Sequence, residues 1–206
     1  MEVEIKLRLP DGATHEKVAS LLGPRHEVTY LQENVFFDGV AQELSSKRTV
    51  LRLRFYNGDE RCVATVKGKA VIIDGISRGT EVEEDIDVAI GRACVSDPSQ
   101  LVDIDCKLIQ AVVSDYSCRQ FVCLGGFRNV RNVYSWEALK LELDETQYAF
   151  GTTYEIECET TEPERFREQL GSLLDSNRIP YSYSTMSKFG IFRSGKVPPF
   201  GGLTTA

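Results

Sequence analysis

Several things are scarce in this chain of 206 residues. It has only two histidines, His15 and His26, and no C-x-x-C pair among its six cysteines. A zinc site, which needs clustered sulfur and imidazole ligands, is therefore not expected. No apolar stretch reaches the ~18 residues a spanning helix requires. The opening residues MEVEIKLRLP are charged at once and carry no apolar leader, so nothing predicts export. Positive charge is also short: 24 Lys and Arg against 31 Asp and Glu leave a net charge of −7. Nucleic acid and anionic membranes both attract basic surfaces, so neither is expected as a partner. Without an oxidising compartment the cysteines read as reduced, mostly buried thiols of a cytoplasmic protein.

What is present is ordinary globular composition, 42% apolar and 27% charged, long enough for one sizeable core. Its organisation is a repeated alternation of period two, the mark of a strand with unlike faces. Residues 2–9 set Glu2, Glu4, Lys6 and Arg8 against Val3, Ile5, Leu7 and Leu9. The pattern recurs at 49–56, 61–67, 81–88, 138–144 and 153–159, with further strands expected at 27–37 and 120–136. Asn57-Gly58 is a hairpin turn signal, and Gly125-Gly126 interrupts 120–136. Helical spacing appears at 14–22 with Thr14 as cap, at 99–113, at 162–176, and in a short terminal helix from Ser184 to Arg193.

The polar faces are unusual because they are charged on at least six strands, in phase. If helices cover the aliphatic faces, the charged faces must point elsewhere, and the lumen of a barrel is the simplest place. Such a lumen collects Lys6, Arg8, Arg52, Arg54, Lys67, Arg131 and Lys140 with Glu2, Glu4, Glu81, Glu83, Asp85, Glu142, Asp144, Glu155, Glu157 and Glu159. Buried charge at this density is costly unless paired or used. Confined cations suit a polyanion, and arginine forks suit phosphate oxygens. Carboxylates repel phosphate, so their presence beside it calls for a bridging hard cation, Mg²⁺ or Mn²⁺.

Glu2-Val3-Glu4-Ile5-Lys6 is an E-x-E-x-K motif, and it resembles the start of the CYTH, or triphosphate tunnel metalloenzyme, superfamily. Matching elements follow in order: Leu51-Arg52-Leu53-Arg54, Thr65-Val66-Lys67, Glu81-Val82-Glu83, Arg131 before Val133-Tyr134, Leu141 to Glu145, Tyr154 to Glu157, and Ser187-Lys188-Phe189. The cluster from Phe121 to Phe127 looks most like the short plant members, of inorganic tripolyphosphatase type. The resemblance implies an α+β fold: an eight-stranded antiparallel β-barrel tunnel with helices packed outside and a C-terminal plug helix. It implies one domain over residues 1–194; after it, Pro198-Pro199 and Gly201-Gly202 predict a disordered tail, 195–206. It implies metal-dependent hydrolysis of tripolyphosphate by a monomer. Thiamine triphosphatase, nucleotide triphosphatase or adenylate cyclase activity, or a non-catalytic polyphosphate sensor, are the alternatives. The implied metal ligands are Glu2, Glu4, Glu155 and Glu157. Phosphate would be held by Lys6, Arg52, Arg54, Lys67, Arg131, Lys140 and Lys188, with Arg131 preferred over Arg128. Lys188, Glu83 and Asp144 would act at the reacting phosphate, Glu81 and Asp85 being alternatives to Glu83.

Overall fold

The computed structural model describes residues 1–201. In chain order the elements are β1 (Glu2–Leu9), α1 (Gly12–Leu22), β2 (His26–Gly39), β3 (Val50–Tyr56), β4 (Arg61–Lys67), β5 (Val71–Ile73), β6 (Ile76–Gly79) and β7 (Glu81–Ile86). Then come α2 (Val88–Ser96), α3 (Lys107–Asp115), β8 (Phe121–Trp136), β9 (Leu139–Tyr148), β10 (Gly151–Glu159), α4 (Pro163–Ser176), β11 (Ser182–Tyr183) and α5 (Lys188–Ser194). The fold is the expected mixed α+β type built on antiparallel strands. Eleven strands are present among the described residues rather than eight, the additions being the short β5, β6 and β11. Their hydrogen-bonded order is open, ending at β5 and β7. Among the described residues no helix is long and apolar enough to cross a membrane.

The chain divides into two compact units. The first comprises Met1–Tyr30, Val71–Arg78 and the chain from Asn129 onward. Here β1 pairs antiparallel with β10 and β10 with β9, which sets Lys6 opposite Glu157 and Glu155 opposite Asp144. The aliphatic face of β1, with Ile5, Leu7 and Leu9 almost fully buried, packs with Leu141, Leu143 and Ile156. Val18 and Leu22 of α1 and Phe166, Leu170 and Leu174 of α4 close this core. Each such side chain contributes roughly 1.5–3 kcal/mol by leaving water.

The second unit is Leu31–Ala70 with Gly79–Arg128. Strands β2, β3, β4 and β7 pair in succession. Leu51, Leu53 and Phe55 pack against Cys94 of α2, Leu101, and Ile109 and Val112 of α3. Asn57 and Gly58 adopt positive φ (50° and 66°), as the β3–β4 hairpin demands. Gly126 cannot be substituted in place: a Cβ there would lie 1.7 Å from the Asn34 carbonyl oxygen of β2. That close backbone approach is what the double glycine in β8 permits. In both units, helices pack on the aliphatic strand face.

Several boundaries differ from the sequence reading. Asp11, not Thr14, caps α1, its carboxylate accepting from the Thr14 amide at 2.8 Å. The helix expected over 99–113 splits into a 3-10 turn (Pro98–Val102) and α3. Glu84, which interrupts the apolar alternation of β7, accepts from the Lys107 and Leu108 amides at 3.1 and 2.8 Å. It thereby satisfies the start of α3, a role invisible at 23 residues' separation. Helix α2 was not foreseen; Asp87 ends β7's acidic run by capping it. The terminal helix starts at Lys188 with Ser187 as cap, four residues after the expected Ser184, and Ser182–Tyr183 ahead of it pairs with β1. The last five residues of the expected tail, 202–206, lie outside the described residues. All six cysteines are free thiols, Cys123 alone being exposed, and burial pushes Cys62 and Cys158 up to about 12.

Candidate functional site

On β1, alternation puts Glu4, Lys6 and Arg8 on one face, and the register aligns them with Glu159, Glu157 and Glu155 of β10. On β9, Glu142 and Asp144 lie opposite Glu157 and Glu155. The result is an ion network in the first unit. Lys6 bridges two carboxylates, contacting Glu4 at 2.8 Å and Glu157 more closely. Arg131 of β8 forks onto Asp144 through Nε and Nη2 at 2.8 and 2.6 Å, reaches Glu157 at 2.7 Å and also pairs with Glu142. Lys188, the first residue of α5, touches Glu157 at 2.5 Å, Asp144 at 2.8 Å and Glu155 at 3.3 Å.

This network is nearly dry: the Asp144 side chain is 0% exposed and that of Glu157 5%. Burial alone would raise Asp144, but Arg131 and Lys188 outweigh it and hold the carboxyl at about 2. Burial likewise opposes ionisation of Glu157, and Lys188, Lys6 and Arg131 hold it well below the carboxylate range. Glu142 behaves differently; burial dominates its Arg131 contact and raises it. Lys188 is held well above the usual lysine value, desolvation being outweighed by Asp144 and Glu157. Asn129 and Thr146 were not foreseen: Thr146 donates to the Asn129 amide oxygen at 2.7 Å, and Asn129 donates to Asp144 at 3.0 Å. No sequence signal marks an amide behind a carboxylate.

The second unit carries a smaller, more cationic group. Arg52 Nη2 donates to Thr65 at 2.9 Å, Glu83 at 3.2 Å and Glu81 at 3.3 Å. Lys67 pairs with Glu81 at 2.5 Å. Arg54 Nε donates to Asn34 Oδ1 at 2.8 Å, and Thr65 donates to Glu83 at 2.9 Å. Burial first, then the neighbouring Arg54, pull Arg52 down to about 10 despite Glu81 and Glu83. Arg52 Nε and Asn34 Nδ2 are buried without a hydrogen-bond partner. Asn34, amid an aromatic strand, gave no hint that it steers Arg54.

Other expected residues sit apart. Lys140 is exposed and pairs with Glu27, with Ser135 at 3.5 Å. Asp85 is exposed and pairs with Arg61 at 2.6 Å. Arg128 is exposed, whereas Arg131 is largely buried in the network. Glu2 is half-buried at the start of β1. As for a metal, the first unit offers only hard carboxylate oxygens, which fit Mg²⁺ or Mn²⁺ by donor type. Among the described residues no three of them gather as a ready metal site; they are paired instead with the Lys6 and Lys188 ammonium groups.

Residues 1–188 match the CYTH domain. The chain belongs to the CYTH family. Among solved structures, this CYTH chain is similar to the Hippeastrum protein HpAC1, described as a putative adenylyl cyclase revealing a dominant triphosphatase activity. The two are 47% identical, the match covers 97% of this chain and 98% of that one, and the TM-score is 0.90. A putative adenylate cyclase of Bacillus halodurans is 22% identical with a TM-score of 0.72, over 94% of this chain and 96% of that one. The Pyrococcus horikoshii protein PH1819 is 16% identical with a TM-score of 0.61, over 93% and 98%. These two likenesses show the shared fold. No match was found among curated proteins.

Proposed function

We propose that this CYTH chain hydrolyses a triphosphate, tripolyphosphate in the first instance, with a divalent metal ion. The observation that carries this reading is Arg52: a buried guanidinium under-compensated by its carboxylates, flanked by Arg54, with an unpartnered Nε. A cation group so placed gains most from a multiply charged anion with several oxygens. The dominant triphosphatase activity of the 47% identical Hippeastrum protein supports the same chemistry.

In this reading Arg52, Arg54 and Lys67 bind and align the phosphate chain, with Thr65 and Asn34 fixing the two arginines. Lys188 and Asp144 act as fixed charges rather than as proton carriers, since each is held far from neutral pH. Lys188 neutralises charge at the reacting phosphate, and Asp144 aims Lys188 and Arg131. Glu4, Glu155 and Glu157, with Glu2, would hold Mg²⁺ or Mn²⁺. When bound, such an ion supplies charge neutralisation and activation of water. Glu83 is the acidic-segment residue assigned to the site, through Arg52 and Thr65. A non-catalytic sensor would have no use for so many carboxylates.

The test is release of orthophosphate from tripolyphosphate, pyrophosphate, ATP and thiamine triphosphate, each with Mg²⁺, Mn²⁺ or Ca²⁺ and with chelator, and with cyclic AMP followed in the ATP arm. Fastest release from tripolyphosphate, abolished by chelator, is expected. Binding without turnover of any substrate would turn the reading into the sensor, and cyclic AMP as the main product would turn it into a cyclase.

A further inference from the structure

One buried cation lacks a partner among the described residues. Arg8 is 9% exposed, and its Nε lies buried without a hydrogen bond. Its neighbours on the same face are engaged: Lys6 by Glu4 and Glu157, Lys188 by three carboxylates. The register sets Arg8 opposite Glu155 of β10 and Ser182 of β11. Yet the Glu155 carboxylate turns to Ser184, whose hydroxyl donates at 2.7 Å, and to Lys188 at 3.3 Å. Arg8 opens instead on a cavity of about 160 Å³. Ser182, Ser184 and Thr185 line it with hydroxyls, Glu155 borders it, and Pro198 and Pro199 wall it. A single water takes about 30 Å³, so this space holds considerably more than one.

We propose that this cavity is a binding site for one hydrogen phosphate ion, separate from the Arg52 group. A buried guanidinium without an anion is costly, and its fork matches two oxygens of a tetrahedral oxyanion. The hydroxyls of Ser182 and Thr185 add donors. Glu155 gives the site its selectivity. A carboxylate accepts but does not donate, so it repels sulfate, which carries no proton at neutral pH, and accepts the P–OH of hydrogen phosphate. The site rests on this geometry alone and not on catalysis. If the chain hydrolyses triphosphates, the released orthophosphate is the natural occupant.

Two measurements on the full chain, free of divalent metal, test it. Crystals grown with arsenate, a protonated phosphate analogue, should show an arsenic anomalous peak within hydrogen-bond distance of the Arg8 guanidinium. Crystals grown with sulfate should show no ion there. Calorimetric titration with inorganic phosphate should show one site that Arg8→Met abolishes and Arg52→Ala retains. Losing one charge-assisted fork weakens binding by about tenfold or more, so Arg8→Lys, which keeps charge and bulk, should do so even where Arg8→Met does not fold. An empty Arg8 cavity in arsenate, or unchanged phosphate binding in a folded Arg8 variant, overturns the site; equal occupancy by sulfate overturns its selectivity. Phosphate bound at Arg8 in a chain that hydrolyses no triphosphate overturns only the catalytic reading.

Discussion

The two units carry the same design with opposite charge balance. In the first, five carboxylates (Glu4, Glu142, Asp144, Glu155 and Glu157) meet three cations, Lys6, Arg131 and Lys188, at contact distance and mostly out of water. In the second, Arg52 pairs with Glu81 and Glu83, Lys67 pairs with Glu81, Arg54 donates to Asn34, and the Glu83 side chain is 43% exposed. Excess buried carboxylate attracts a cation, and excess buried guanidinium attracts an anion. The difference also says where stability resides. In the first unit Glu157 touches three cations and Asp144 two, whereas Arg52 is held by hydrogen bonds at 2.9 to 3.3 Å.

The largest expected effect breaks the contrast directly. Glu157→Ala removes the one carboxylate that Lys6, Arg131 and Lys188 share in a dry site, and should cost about 3–5 kcal/mol. Arg52→Met removes a poorly compensated charge and keeps its bulk, so its denaturation midpoint should stay within about 1 kcal/mol of the parent or rise. Chemical denaturation of both variants decides; equal losses would mean that the two groups are energetically alike.

Turnover probes the second group. Arg52→Ala removes a charge-assisted contact worth about 1.5–3 kcal/mol, so kcat/KM for tripolyphosphate should fall about tenfold or more while the fold persists. Lys188→Ala should lower the rate comparably. Lys140→Ala, whose partner is Glu27 on an exposed surface, should leave turnover within twofold, as exposed pairs contribute about 0–1 kcal/mol. Full activity in Lys188→Ala would make α5 structural only.

The smallest effect is in pH. Asp144 falls from an ordinary 3.8 to about 2 in the fold, so its contribution to stability is present above about pH 4 and lost as pH falls toward 2. Glu157, also depressed, adds to the same acid limb. Asp144→Asn should flatten the fall of unfolding free energy across that window. An unchanged acid limb would show that Asp144 is not held by Arg131 and Lys188.

Alternation of period two made the strands and their faces legible, because the side-chain direction in a strand is set by the residue's own parity. That placed Glu4, Lys6, Arg52, Arg54, Glu142, Asp144, Glu155 and Glu157 on charged faces, and the spaced motifs pointed to the family. Lys140 shares the parity of Asp144 but ends on an exposed edge, since parity fixes a face and not depth along it. Short elements such as α2, β5 and β6 escaped because too few residues carry a period. Asn34 behind Arg54, Asn129 behind Asp144, and Glu84 at the start of α3 escaped for another reason: each acts on a residue far along the chain. The sequence by itself determined which side chains share a face, a local property of the backbone. Only the tertiary structure decided which of those charges are partnered, because pairing and desolvation depend on strands up to 151 residues apart, as with Lys6 and Glu157. It also left the Arg8 Nε without a hydrogen-bond partner among the described residues, beside its cavity.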